Sequence, residues 1–255
     1  MIDFFRTINL FFDKVYVLTL ERETQRHEHI RKELYGLEYE LLYGVDKQSF
    51  RIDDLKAKGL YDEEQARRHH RFGKPMSAGM IGCSWSHRNA YDHMIRNKVQ
   101  KALILEDDVI IDKGHTALLP AILAELPRNW ELVYFGYFRH EQAGQFSFLK
   151  QAAYHIQRLI GRHKFSHQTI SNLYAKPYSA HLLKAGYHDQ THAYGLTLAG
   201  AKKLRKLQDP ITFFPDNLLA YAITNGLLNA YATRPKLINQ LSQNDNVVFH
   251  TSIGD

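Results

Sequence analysis

Three acidic residues in a row, Glu106, Asp107 and Asp108, follow directly on the apolar run 101–105 (KALIL). A run this apolar reads as a strand covered on both faces. In open α/β sheets, ligands collect at the carboxyl ends of strands. Carboxylates placed there hold a hard divalent cation such as Mg²⁺ or Mn²⁺ through oxygen ligands. Adjacent like charges are costly without a cation, so a metal explains the cluster; the plainer alternative is a solvated acidic turn.

A second constellation is 77–87 (SAGMIGCSWSH). Gly79 and Gly82 permit close backbone approach to a ligand, and Ser84 or Ser86 can cap a helix read over 84–97. A helix start beside glycines suits an anion or a sugar. The segment lacks both the phosphate-loop Lys-Ser/Thr pair and the dinucleotide fingerprint. Cys83 reads as a small buried apolar residue rather than a nucleophile. Further on, THAYGLTLAGAKKL and DPITFFPD set His192 and Asp216 beside apolar runs. Each has an ordinary reading, His192 as a loop histidine and Asp216 as a helix cap after Pro215. The fifteen histidines form no zinc pattern: His69-His70 and the scattered His140, His155, His163, His167 and His181 lack a cysteine partner, and no H-E-x-x-H helix occurs.

The elements that must position these residues alternate. Strands are expected at 14–20 (KVYVLTL), 38–43, 101–105, 131–135 and 193–197, and helices at 24–34 with Thr24 as cap, 53–71, 84–97, 116–126, 199–207 and around 216–224. This rhythm predicts an α/β fold with a mainly parallel sheet. The stretch 137–187 breaks it. Rich in His, Lys, Arg and Tyr, with a helix expected over 148–160, it reads as an insertion over one end of the sheet. The 255 residues suit a single domain. Hydrophobic residues make up 44%, enough to bury a core. A single cysteine allows no intrachain disulfide, which favours a reducing, cytoplasmic compartment. No apolar run reaches the ~18–20 residues of a membrane span. The opening MIDFFRTINLFFDK, interrupted by Asp3 and Arg6, is read as a helix that packs on its own domain or lies in a membrane interface. The formal charge of +6 fits an anionic partner.

Taken in order, these segments resemble glycosyltransferase family 25, which includes lipooligosaccharide and lipopolysaccharide glycosyltransferases and collagen galactosyltransferase domains. The opening pattern stands here as VLTLERETQR, with Arg22 and Arg26 retained. The Gly-x-x-Gly-Cys…Ser-His segment runs from Gly79 to His87, and Leu-Glu-Asp-Asp-Val from Leu105 to Val109. Glu131 to Gly136, Thr191 to Tyr194, Gly200-Ala201, Pro215-Asp216 and a tail RPKLINQ…HTSI complete the series. Thr19 stands where the family usually has Asn, Glu21 where it has Asp, and Met80 where it has Glu, so no carboxylate role carries over to that last site.

The resemblance implies a GT-A fold, a Rossmann-like nucleotide half joined to an acceptor half that includes 137–187. It implies inverting transfer of a hexose, galactose first and glucose second, from a UDP-sugar to a saccharide of bacterial lipooligosaccharide or lipopolysaccharide. A cation, Mn²⁺ or Mg²⁺, would be held by Asp108 with Glu106. Thr19, Glu21, Arg22, Arg26, Gly82, Ser86, His87, Glu106, Asp107 and His192 would contact the donor. Asp216 occupies the family's late acidic position and is the first candidate for general base; Asp46, Asp107 and Asp189 are the alternatives. Arg158, Arg162 and Lys164 would form a basic wall toward an anionic glycolipid acceptor. Such an enzyme would work in the cytoplasm, in peripheral contact with the inner membrane. Two rivals are a metal-dependent phosphoesterase or nucleotidyltransferase using the same acids, and a non-catalytic basic binding protein with a transferase-like fold. The chain carries no RNA-binding signature, and nucleic acid is not expected as a partner.

Overall fold

A computed structural model describes residues 1–70, 73–138, 143–162 and 164–241. The chain opens with α1 (Ile2–Phe11), β1 (Lys14–Thr19), α2 (Thr24–Glu33) and β2 (Glu40–Tyr43). Two short helices, α3 (Ile52–Ala57) and α4 (Glu63–His69), lead to the long α5 (Ala78–Arg96), then β3 (Lys101–Glu106) and β4 (Val109–Ile111). Next come α6 (Leu119–Glu125), β5 (Leu132–Phe138), α7 (Ser147–Leu159), α8 (His167–Ser171), β6 (Lys176–Pro177) and β7 (Leu182–Lys184). β8 (Asp189–Thr197), α9 (Leu198–Leu207), α10 (Pro215–Thr224), β9 (Ala230–Thr233) and β10 (Ile238–Gln240) follow.

Eight strands form one sheet in the order β2-β1-β3-β8-β5-β9-β7-β6. β2, β1 and β3 pair in parallel, as a Rossmann-like half requires. β9 is parallel to β5. The α/β class is as expected, but the sheet is mixed at its centre: β8 runs antiparallel between β3 and β5. That reversal matters. The first residues of β8, rather than its last, lie at the carboxyl end of β3, beside the acidic triplet.

Both faces of the sheet are covered, which explains the unbroken apolar runs. Tyr16, Leu18, Ala102 and Ile104 face a core with Tyr91 and Met94 of α5, Leu204 of α9 and Leu218 of α10. The alternate residues Val15, Val17, Leu103 and Leu105 face a second core with Phe4, Phe5 and Ile8 of α1, Ile30 of α2 and Ile122 of α6. Period-two alternation thus places apolar groups on each side.

The N-terminal segment belongs to that second core. Phe4, Phe5, Ile8 and Phe12 are buried, Phe12 meets Phe135 edge-on and Phe11 stacks on Trp130. Burying a large apolar side chain contributes roughly 1.5–3 kcal/mol, so lifting these four into a bilayer would exchange one apolar surrounding for another. The membrane-interface reading of α1 is therefore corrected. No helix among the described residues is long and apolar enough to cross a membrane.

Several boundaries also differ from expectation. The helix expected from residue 84 starts at Ala78, because Ser77 caps it through Met80 N at 3.2 Å. Thr24 is the first residue of α2 rather than its cap. The helix expected over 53–71 is two pieces, α3 and α4, and the short strands β4, β9 and β10 had no sequence signal long enough to announce them. The stretch 137–187 extends the sheet as well as covering it: β7 pairs with β9, and β6 with β7.

Candidate functional site

Parallel pairing of β1 and β3 sets Leu18 against Glu106, so the ends of both strands open onto one site. There Thr19 Oγ1 donates to Asp107 Oδ2 at 2.6 Å. Arg26, from the first turn of α2, donates to Asp107 Oδ1 at 2.5 Å and lies 3.7 Å from Asp108 Oδ2. Both Asp107 oxygens are thereby engaged, and the residue ties β1, α2 and β3 together. Burial pushes its carboxyl up, and Arg26 and Thr19 offset only part of the shift.

Its two neighbours have different surroundings. Thr191, at the start of β8, donates to Glu106 Oε1 at 2.8 Å, and His87 Nε2 lies 3.7 Å from the same oxygen. The other ring nitrogen of His87 bonds Tyr194 Oη at 2.9 Å, which continues to Tyr91 at 3.3 Å. Burial pushes Glu106 up, but His87, His192 and Thr191 together hold it below the ordinary carboxylate range, so it is charged. Asp108 is clamped by Gln240 Nε2, which donates to both its oxygens at 3.0 and 3.1 Å. This clamp depends on the antiparallel pair β4–β10, in which Gln240 stands opposite Val109. Burial, then the charge of Glu106, push Asp108 up to about 7.

Among the described residues, no group of three or more His, Cys, Asp or Glu side chains is gathered as a ready metal cage. Among the described residues, four buried side-chain atoms nevertheless lack partners, and two of them belong to residues of this site, Gln240 Oε1 and His192 Nδ1. The first belongs to the very amide that holds Asp108. Asp108 is a buried carboxylate reluctant to ionise beside charged Glu106, and a cation would offset that cost. Oxygen donors of this kind suit Mg²⁺ or Mn²⁺.

A cleft opens over Glu106 and Asp107, lined also by Thr19, Arg22, Arg26, Gly79, Cys83, Ser86 and His87, with Asp108 outside its lining. Arg22 is paired with Asp46 at 2.6 Å. Glu21 is exposed and outside the lining. Gly82 has a packing role instead of the expected ligand contact: a Cβ there would stand 2.5 Å from Val45 O. Ser86 supports the same junction, donating to Gly82 O at 2.7 Å and accepting from Val45 N at 2.8 Å. The Cys83 thiol is pushed well up by burial and by the surrounding carboxylates, the opposite of what a nucleophilic thiolate needs.

His192 is buried on β8, with Nε2 3.3 Å from Ile238 O. Burial pushes its pKa down, and the charge of Glu106 offsets only part of that shift. The ring fits only because residue 136 is glycine: a Cβ there would come within 2.1 Å of Nε2.

Asp216 lies in the first turn of α10. Its oxygens accept from Asn217 N at 2.9 Å and Gln190 N at 3.4 Å. Gln190 has φ of 69°, a left-handed conformation unusual outside glycine. Burial first, then the charges of Asp189 and Glu106, push Asp216 up to about 7.

Next to Asp216 on α10, Asn217 and, one turn further, Tyr221 line a second cleft with Tyr187, Phe213, His69 and Lys164. His69 stacks on Phe213 at 3.8 Å between centroids, and Tyr221 lies 5.0 Å from Phe213. Of the three cations expected to form an acceptor wall, Lys164 is in this lining. Arg158, in the last turn of α7, and Arg162, just past it, are exposed and line neither cleft.

Sequence reasoning missed Thr191, Tyr194, Gly136 and Gln240 as parts of this arrangement. Each nevertheless had a signal, its place in a segment that carries the family resemblance: Gly136 ends the stretch from Glu131, Thr191 and Tyr194 bound the stretch THAY, and Gln240 ends the tail's RPKLINQ. The HTSI end of that tail lies outside the described residues.

The family profile described as "Glycosyltransferase family 25 (LPS biosynthesis protein)" matches residues 12–219. A "Glycosyltransferase 25 family member" of Anopheles gambiae is 30% identical over 204 residues, covering 76% of this chain and 28% of the relative. "Procollagen galactosyltransferase 2" of Homo sapiens is 26% identical over 198 residues, covering 76% and 27%. The chain thus spans under a third of the length of these relatives. A solved glycosyltransferase involved in glycosylation of the major capsid of PBCV-1 overlays with a TM-score of 0.41 at 11% identity, covering 91% of this chain and 93% of the other.

Proposed function

This chain belongs to glycosyltransferase family 25, and on that premise we propose that it transfers a hexose from a UDP-sugar to a saccharide hydroxyl, with inversion at the anomeric carbon. The observation that carries the reading is the pairing of an acid-and-arginine cleft at the ends of β1 and β3 with Asp216 near neutrality beside it. Galactose is the first choice of sugar, since relatives carry the name galactosyltransferase, and glucose the second. The acceptor is a saccharide of bacterial lipooligosaccharide or lipopolysaccharide, in keeping with the family's description.

In this reading Arg22 and Arg26 face the diphosphate, with Thr19 and Ser86 at the cleft wall. Asp108, Glu106 and Gln240 would hold Mn²⁺ or Mg²⁺, which supplies positive charge against the negative charge that builds on the departing UDP. Asp216 takes the proton from the acceptor hydroxyl. The new bond forms from that oxygen to the anomeric carbon, while the bond to the β-phosphate oxygen breaks and its electron pair leaves with UDP. A carboxylate with a pKa of about 7 suits this task, because a base works best when its pKa lies near the working pH. Inversion follows from a single in-line displacement.

The second cleft suits the acceptor. Its aromatic rings offer flat apolar faces to a sugar, and Lys164 offers a charge to an anionic substituent. Tyr221→Ala is expected to raise the acceptor KM about tenfold, as loss of one aromatic contact should, with acceptor-free UDP release unchanged. An unchanged KM would move the acceptor elsewhere.

The overall reading is tested by UDP release from UDP-Gal, UDP-Glc, UDP-GlcNAc and UDP-GalNAc, with and without glycolipid acceptor. Acceptor-dependent release from one hexose donor is expected. Equal release without acceptor, or release of UMP, would instead point to a phosphoesterase.

A further inference from the structure

α7 is amphipathic, yet it sits on the protein the wrong way round. Its polar stripe faces inward: Gln151 donates to Ile170 O at 2.7 Å, and one turn on, His155 bonds His167 at 2.8 Å. Ser147, in line with them, is the buried residue of the helix. The apolar side chains point out. Phe146 just before the helix, Phe148, Leu149, Ile156 and Leu159 within it, and Ile160 just after are between 54% and 75% exposed. Spacings of three, four and seven residues keep them on one face, with Ala152 and Ala153 between them. Solvent-facing leucines occur singly on any protein, but a contiguous stripe marks a contact surface.

Charge identifies the partner. Residues 142–188 contain no Asp or Glu, and they carry six Lys and Arg. The chain as a whole has 33 basic and 27 acidic residues, so this segment holds its entire cationic excess. Lys150 stands beside the apolar stripe, and Arg162 and Lys164 follow its end; all three are exposed. A helix with an apolar face and basic neighbours lies in the plane of an anionic membrane surface. We propose that α7 docks this protein on an anionic phospholipid bilayer, inserting the stripe from Phe148 to Ile160 between the headgroups. This role replaces the one considered for the N-terminal helix, whose apolar face is already spent on the core.

The test is flotation of the full chain with phosphatidylglycerol/phosphatidylcholine vesicles and with phosphatidylcholine vesicles alone. Binding to the anionic vesicles that weakens with salt is expected. Phe148→Ser/Ile156→Ser/Leu159→Ser should lower vesicle affinity at least about tenfold, with acceptor-free UDP release, melting temperature and sedimentation coefficient unchanged. Lys150→Ser/Arg162→Ser should weaken binding to the anionic vesicles only. Failure of the unmodified chain to bind anionic vesicles would overturn the proposal. A dimer that the triple serine variant dissociates would assign the stripe to a second copy instead. A lowered melting temperature of that variant would show that the chain itself covers the stripe. Neither vesicles nor melting requires transfer activity, so this proposal stands or falls apart from the transferase reading.

Discussion

Asp216→Asn is expected to lower turnover by ~10²-fold or more while UDP-sugar binding survives, as loss of a general base should. Asparagine keeps the shape and the oxygen that accepts from Asn217 N; it cannot take a proton. Wild-type kcat should rise with pH through about 7, where Asp216 ionises, and the variant should lose that limb. Stability supplies an independent check. Burial and the charges of Asp189 and Glu106 raise the folded pKa of Asp216 above its ordinary carboxylate value. Its contribution to stability is therefore fully present below that ordinary value and is lost as pH rises through about 7. The variant, which never ionises, should therefore gain in melting temperature relative to wild type as pH rises from the ordinary carboxylate value to about 7, and keep that gain unchanged above it. A variant with wild-type turnover would shift the role to Asp189, its charged neighbour. Of the remaining candidates, Asp46 is paired with Arg22, and Asp107 is held by Thr19 and Arg26.

The second large effect concerns Asp108. Treatment with EDTA should abolish UDP release, and Mn²⁺ should restore it. Asp108→Ala should remove activity at least about 10²-fold even with Mn²⁺ in excess, the scale of losing charge stabilisation at a leaving group. The variant should fold, because in the metal-free protein this buried carboxylate resists ionisation and alanine removes that cost. Gln240→Leu should act in the same direction by releasing the clamp on Asp108. Direct Mn²⁺ binding, followed by isothermal calorimetry, separates loss of the cation from loss of the fold. Full activity in EDTA would end the metal reading.

Much of the scaffold was legible because its causes are local. KVYVLTL and KALIL are apolar on both alternations, and only a strand buried on two faces accommodates that. The triplet Glu106-Asp107-Asp108 was legible as a site because it ends such a strand. Its division of labour was not. Nothing in three adjacent carboxylates says that Asp107 is bound by Thr19 and Arg26, that Glu106 is held charged by His87 and Thr191, or that Asp108 is clamped by Gln240. Those partners lie tens of residues away and meet through strand register.

The same distinction separates the two apolar helices at the surface of the sequence. Periodicity by itself determined that α1 and α7 are amphipathic, since side-chain spacing along a helix is a property of the chain. Which way each face turns was decided only by packing. α1 meets a sheet face lined by Val15, Val17 and Phe135 and buries its phenylalanines there. α7 meets α8 through Gln151 and His155 and leaves its apolar stripe to solvent. The reversed strand β8 has the same origin. Its composition resembles any buried strand, and only the sheet order β3-β8-β5 brings Thr191 and His192 to the acids. Local sequence determines what an element is, because its backbone preference and periodicity are local. Where its side chains point is determined by surfaces that distant parts of the chain assemble.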